Sequence, residues 1–146
     1  MYNGLDLIKQ FEGLKLEAYL CPAGVPTIGY GQTGPDVKLG NVITESEAED
    51  MLLKEYKHFE AEVKKLVKIT INENQLGALT CFAYNVGLGN LKASSLLRLL
   101  NEGRITLATK EFMKWDKAKV KGVLTPLKGL TRRRLAEQAL FNTAIV

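Results

Sequence analysis

The strongest constraint on how this chain can fold is one long amphipathic helix. Thr44 and Glu47 have the spacing of a capping box, and Glu45, Glu47, Glu49 and Asp50 load the first turns with acid. Leu52, Tyr56, Phe59, Val63 and Leu66 recur at helical spacing, and Lys64, Lys65 and Lys68 gather at the far end. A helix of about 24 residues spans roughly 36 Å. That is longer than a small domain needs, so the helix is expected to bridge two lobes.

Before it, residues 3–12 read as a shorter helix, with Leu5, Ile8 and Phe11 at three-residue steps and Leu7 widening the stripe. Asn3 is expected to cap this helix and Gly13 to take the left-handed position that ends it. Between residues 14 and 40 the pattern changes. Pro22, Gly24, Pro26, Gly29, Gly31, Gly34, Pro35 and Gly40 punctuate the short alternating runs LEAYL and PTIGYG, as in a small antiparallel sheet. Gly29 and Gly31, on either side of Tyr30, point to close backbone approach by a strand or a ligand.

After the long helix the chain is helical. Asn72 with Gln75 opens a segment that Gly87 closes, and a second ends at Gly103. Residues 106–115 form a third and 131–141 a last, while 117–130 is expected to be a basic loop. The sum is a single α+β domain over 1–146. Its two lobes are a small antiparallel-sheet lobe at about 12–60 and a helical lobe of 1–11 with 61–146.

Composition removes several function classes. The chain is 46% hydrophobic and 25% charged, which excludes disorder, and its two cysteines exclude a disulfide scaffold. No apolar run approaches the roughly 20 residues of a spanning helix, so no stable membrane anchor is expected. MYNGLDLIKQFEG carries acids and lacks the apolar stretch of a secretory signal. One histidine and two separated cysteines leave no zinc spacing, and GYGQTG lacks the Lys-Ser/Thr of a phosphate loop, so no metal or cofactor is expected. His58 falls mid-helix among Glu and Lys and reads as a solvated side chain, not the base of a triad. The net charge of +4 favours an anionic partner: nucleic acid, a lipid surface or the bacterial envelope.

What is left is an acid in an uncommon place. Glu12 ends a helix, where the macrodipole favours a cation, and it faces the glycine-rich sheet. Phe11, Tyr19 and Tyr30 are expected to shield its carboxyl from water, as a general acid needs. Cys21 and Thr27, both small and polar, lie on the sheet segment and could hold a water on the far side of a bound substrate.

The spacing of Glu12, eight residues, Cys21, five residues and Thr27 resembles the catalytic pattern of phage-type lysozymes, the endolysins of glycoside hydrolase family 24. The runs FEGLKLEAYLCPAGVPTIGYGQT, ITESEAEDML, LTCFAYNVGLGNLKASSLLRLLNEG and GLTRRRLAEQALF extend the likeness over nearly the whole chain. The resemblance implies the two-lobed lysozyme fold. It also implies hydrolysis of the β-1,4 bond between N-acetylmuramic acid and N-acetylglucosamine in peptidoglycan, with lysis of a host cell.

By the same resemblance Glu12 is the general acid, and Cys21 stands where many members carry Asp. With one carboxyl evident, the expected outcome is inversion, with a water positioned by Thr27 and Cys21. Arg133 matches the basic partner of the catalytic Glu, against the alternative of a solvated helix charge. Gln32 stands where relatives often carry His, and with Thr33 it either hydrogen-bonds a sugar or closes the hairpin. Tyr84 and Asn85 match positions that line the cleft, or else pack at a lobe junction. Cys81 reads as a small buried hydrophobe, and free thiols are expected over a Cys21–Cys81 disulfide.

Three rivals stand beside this reading: a lytic transglycosylase acting on the same bond, an inactive relative kept for wall binding, and a non-catalytic basic envelope-binding module. Nucleic acid lacks a recognisable motif here, so none is expected as partner. The expected partner is the glycan strands of peptidoglycan, met by a monomer. The enzyme would wait in the host cytoplasm until a holin opens the membrane to the periplasmic wall.

Overall fold

Helix α1 (Asn3–Glu12) buries Gly4 and Ile8, and Gly13, at φ +72°, ends it in the left-handed conformation expected of it. Asn3 does not cap from outside. It already lies within the helix, and its side chain donates to Asn74 Oδ1 at 2.8 Å. The computed structural model describes residues 3–144, so the outermost residues of the expected domain (1, 2, 145 and 146) lie outside the described residues.

Strands β1 (Lys15–Leu20) and β2 (Pro26–Gly29) pair antiparallel, with Tyr19 opposite Thr27. Ala18 N–H donates to Asn41 O (3.0 Å) and Ile43 N–H to Leu16 O (2.8 Å), so residues 41–43 run along the free edge of β1. This is the small antiparallel sheet of the sequence reading. Helix α2 (Glu45–Leu66) then opens with the expected capping box: Glu47 N–H donates to Thr44 Oγ1 and Thr44 N–H to Glu47 Oε1, both at 3.1 Å.

α2 feeds two hydrophobic clusters. Its first half supplies Ala48, Leu52 and Tyr56 to a cluster with Ile8, Tyr30 and Cys81. Its second half supplies Val63, with Phe59 and Leu66, to a larger cluster built from the later helices. Each fully buried aliphatic side chain contributes about 1.5–3 kcal/mol, so a helix anchored at both ends fixes how the two clusters sit.

Helix α3 (Glu73–Val86) is the axis of the larger cluster. Asn72 and Gln75 form its capping box, and every residue from Gly77 to Ala83 is buried, so it is surrounded on all sides. α1 crosses it at Gly4 and Gly77, so closely that a Cβ on Gly4 would collide with the Gly77 backbone. Helices α4 (Leu88–Ala93), α5 (Ser95–Asn101), α6 (Ile105–Glu111) and α7 (Lys128–Phe141) complete the fold.

Three details depart from expectation. α4 is a separate short helix ahead of α5. The single helix expected at 106–115 tightens after α6 into a 3-10 turn, Phe112–Trp115, which brings Phe112 and Trp115 edge-on to Phe82 at 5.5 and 5.6 Å. The basic loop expected at 117–130 is instead a hairpin of β3 (Lys117–Val120) and β4 (Val123–Pro126), followed directly by α7.

Candidate active site

Glu12 ends α1 without a cation in its own last turn to match it other than Lys9, which pairs instead with Glu49. Its partner comes from α7: Arg133 Nη1 donates to Glu12 Oε1 at 3.0 Å. The acid that looks misplaced on a helix C-terminus is thus compensated across the fold. The other carboxylate oxygen, Oε2, lies against Gly31, where a Cβ would meet it at 3.3 Å. Gly31 holds φ +90°, so the close backbone approach expected near Tyr30 is to the Glu12 carboxylate.

Arg133 is itself buried and fully engaged. Nη2 donates to the Cys81 carbonyl at 3.1 Å, Nε faces Glu137 Oε2 at 3.3 Å, and the guanidinium lies 6.0 Å from the Phe11 ring centroid. Glu137 also binds Arg134, whose Nε is 2.8 Å from Oε1 and whose Nη2 is 3.1 Å from Oε2. Arg134 in turn reaches Asn85 Oδ1 at 2.8 Å and stacks over Phe82. Arg134 and Glu137 are both 0% exposed. Burial pushes the Glu137 carboxyl up, and the two guanidinium groups oppose it.

Glu137 and Arg134 are the residues the sequence reading missed. The signal was present: Arg133 and Glu137 are four apart and Arg134 and Glu137 three apart on one helix. Arg134 and Glu137 escape notice in the sequence because periodicity does not register a buried ion cluster.

Of the expected aromatic shield, Phe11 alone sits at the Glu12–Arg133 pair. Tyr30 is buried with its hydroxyl donating to Glu49 Oε1 at 3.2 Å, and Tyr19 stays exposed. Cys21 and Thr27 come together on the β1–β2 hairpin. The Thr27 hydroxyl donates to Val25 O at 2.9 Å, which leaves an oxygen lone pair free to accept. The backbone N–H groups of Val25 and Ala23 draw the Cys21 thiol below its ordinary value. Cys81 is buried, its thiol pushed far up by burial, and both cysteines are free.

Gln32 uses its whole amide internally. Oε1 accepts from Tyr30 N–H at 2.7 Å, and Nε2 donates to Tyr84 Oη at 2.6 Å and Glu55 Oε2 at 3.3 Å. These bonds close the hairpin, the second of the two expectations for Gln32, and leave it 5% exposed. Tyr84 completes a latch by donating to Tyr30 O at 2.7 Å, and burial pushes its own hydroxyl far up. Thr33 is exposed on the turn beyond. A groove of about 830 Å³ opens beside Glu12, lined by Gln10, Phe11, Asn85, Leu130, Arg132 and Arg133 among others, and does not extend to Cys21 or Thr27. Among the described residues no cluster of His, Cys, Asp and Glu could hold a metal ion.

A family model described as phage lysozyme matches residues 9–137. The chain is 49% identical over 145 residues to the endolysin of Bacillus phage PZA, covering 96% of this chain and 54% of that longer protein. It is 45% identical over 142 residues to the endolysin of Acyrthosiphon pisum secondary endosymbiont phage 1, with 97% of each covered. Among solved structures, the muramidase domain of SpmX from Asticaccaulis excentricus superimposes with a TM-score of 0.92 at 35% identity, over 99% of this chain and 97% of that one. The chain therefore spans about half the length of the Bacillus phage relative and nearly all of the other two.

Proposed function

The chain belongs to the phage lysozyme family, and we propose that it is a glycoside hydrolase, an endolysin whose Glu12 protonates the leaving oxygen of the β-1,4 bond between N-acetylmuramic acid and N-acetylglucosamine. The observation that carries this reading is the asymmetry of the carboxylate: Oε1 is tied to Arg133 while Oε2 faces Gly31 and the hairpin that bears Thr27. Oε2 is the oxygen that carries the proton. Once the proton is given up, Arg133 stabilises the carboxylate left behind.

A water accepted by Thr27 and Cys21 attacks the anomeric carbon from the opposite face. Attack from that side inverts its configuration. The lowered Cys21 thiol can reach the thiolate that takes the water's proton. Thr33 and Asn85 contact the glycan from the two sides of the cleft, between a lobe of about 12–60 and a lobe of 1–11 with 61–146. The enzyme acts as a monomer on the periplasmic wall, after waiting in the host cytoplasm for a holin to open the membrane.

The test is a turbidity assay on purified peptidoglycan with wild type, Glu12→Gln and Cys21→Ser, followed by mass and anomer analysis of the products. The expected result is cleavage to hydrated muropeptides of inverted configuration, abolished in Glu12→Gln and reduced in Cys21→Ser. Anhydro-sugar products would make the enzyme a transglycosylase, and retained configuration would replace the water mechanism with a covalent one. Wall binding without cleavage would leave a binding module.

A further inference from the structure

The β3–β4 hairpin carries a surface that neither the core nor the proposed chemistry uses. Its register sets Ala118 opposite Thr125, Lys119 opposite Leu124 and Val120 opposite Val123. Directly opposed residues share a face and faces alternate along a strand. Ala118 and Thr125 are half-buried towards the protein, and Val120 with Val123 continues that face beyond the body into solvent. Val123 and Leu124 are 64% and 63% exposed, and Val120 is 43% exposed. None of the three belongs to either hydrophobic cluster.

The charge around them is mostly basic, with Glu111 paired to Lys114 at 2.6 Å. Lys114, Lys117, Lys119, Lys121, Lys128 and Arg132 are all exposed, and the only acid between residues 112 and 132 is Asp116, already bonded to Thr131 and Lys117. Lys121 sits at the outermost turn with φ +52°, the only positive φ outside glycine among the described residues, followed by Gly122 at +81°. Two positive φ values in a two-residue turn favour Asn-Gly. A lysine there adopts a backbone conformation that L side chains rarely take, which points to a use for its charge.

The partner follows from what the hairpin lacks as well as what it shows. Residues 116–132 contain no aromatic ring to stack on a sugar or base and no Asn or Gln to read one, and the neighbouring Trp115 is half-buried with its ring edge-on to Phe82. Aliphatic tips ringed by ammonium groups match a lipid surface, with methyls in the headgroup layer and lysines on phosphates. We infer that the β3–β4 hairpin docks the enzyme reversibly on anionic phospholipid by its tip, with Val120 and Val123 on one face and Leu124 on the other entering the headgroup layer and Lys117, Lys119 and Lys121 pairing with lipid phosphate. This goes beyond glycan cleavage: it holds the protein at the membrane that borders its substrate. It is a surface contact and not a span, and among the described residues no helix is long and apolar enough to cross a membrane.

Co-sedimentation of the full chain with vesicles tests it, using phosphatidylcholine alone or phosphatidylcholine and phosphatidylglycerol in equal parts. Binding is expected to the anionic vesicles only. Lys119→Glu with Lys121→Glu should weaken it by about tenfold or more, whereas the same charge change on α2, Lys54→Glu with Lys57→Glu, should change it by less than about half as much on a logarithmic scale. Val123→Ser with Leu124→Ser should weaken it at unchanged charge and also at high salt. Lys121→Asn should raise the Tm by relaxing the turn and still weaken binding by about fivefold. Hydrolysis of soluble peptidoglycan fragments should be unchanged in every hairpin variant, since none touches the Glu12 site.

Equal weakening by the α2 pair would reduce the effect to net charge and overturn the inference. So would no effect of the Val123 and Leu124 changes, or no binding to either vesicle. Hairpin-dependent binding to purified glycan strands with none to vesicles would overturn it in favour of docking on the wall.

Discussion

Arg133 closes the last helix of the fold onto the last residue of the first, its Nη1 3.0 Å from Glu12 Oε1. The same guanidinium is pinned by the Cys81 carbonyl and by Glu137, so the carboxylate is held by a cation that cannot turn away. A planar fork engaged on three sides cannot be replaced by a point charge.

Arg133→Lys should therefore keep the charge and lose the geometry. A charge-assisted hydrogen bond is worth about 1.5–3 kcal/mol, so kcat/KM on purified peptidoglycan should fall by roughly tenfold to a hundredfold. An unchanged kcat/KM would show that Glu12 does not depend on this contact.

Glu137→Gln should act through Arg133 and Arg134 without touching substrate. Breaking a buried ion pair by removing one partner costs about 3 kcal/mol, read as a shift in the urea midpoint. The folded variant should lose kcat while KM moves little, because Arg133 is left loosely held beside Glu12. A stability loss with wild-type kcat would confine Glu137 to the core.

Gly31→Ala should injure both the backbone and the site. At φ +90° an L residue is strained by about 1–3 kcal/mol, and its Cβ would press on Glu12 Oε2 at 3.3 Å. Lower thermal stability together with a lower kcat is expected. Preserved kcat would mean that Oε2 points elsewhere during turnover.

The two cysteines should react in opposite ways. A thiol whose folded pKa is lowered is more fully thiolate at a given pH, so alkylation of Cys21 by iodoacetamide should rise with pH to a midpoint below that of the same thiol in the unfolded chain. Cys81, buried and pushed up, should stay unmodified in the folded protein. Loss of activity should track Cys21 modification. Faster reaction at Cys81, or a Cys21 midpoint at or above that of the unfolded chain, would contradict the hydrogen bonding at the hairpin.

Local chemistry was the most legible part of this fold. The Thr44–Glu47 and Asn72–Gln75 boxes and the Gly13 stop each depend on residues within three or four positions, so they could be read without the rest of the chain. The β3–β4 hairpin could not, because Lys121–Gly122 stands where Asn-Gly would have announced the turn and the alternation is masked by lysines. Gln32 shows the same boundary within the site. Its position was clear, but whether an amide meets a sugar or the protein is decided by Tyr84 and Glu55, far away in sequence. Arg134 and Glu137 were hidden for a related reason: a helix face that buries ions looks polar to any periodicity.

The tight crossing of α1 over α3 at Gly4 and Gly77 has a consequence for biosynthesis. α1 leaves the ribosome before α3 and α7, so its docking surface arrives only with residue 77 and its cation only with residue 133. Through most of translation the helix that ends in Glu12 has nowhere to settle, and the acid stands alone. A nascent chain that ends before α7 therefore has Glu12 without the Arg133 contact on which the proposed chemistry rests, and that contact forms only when α7 folds back onto α1.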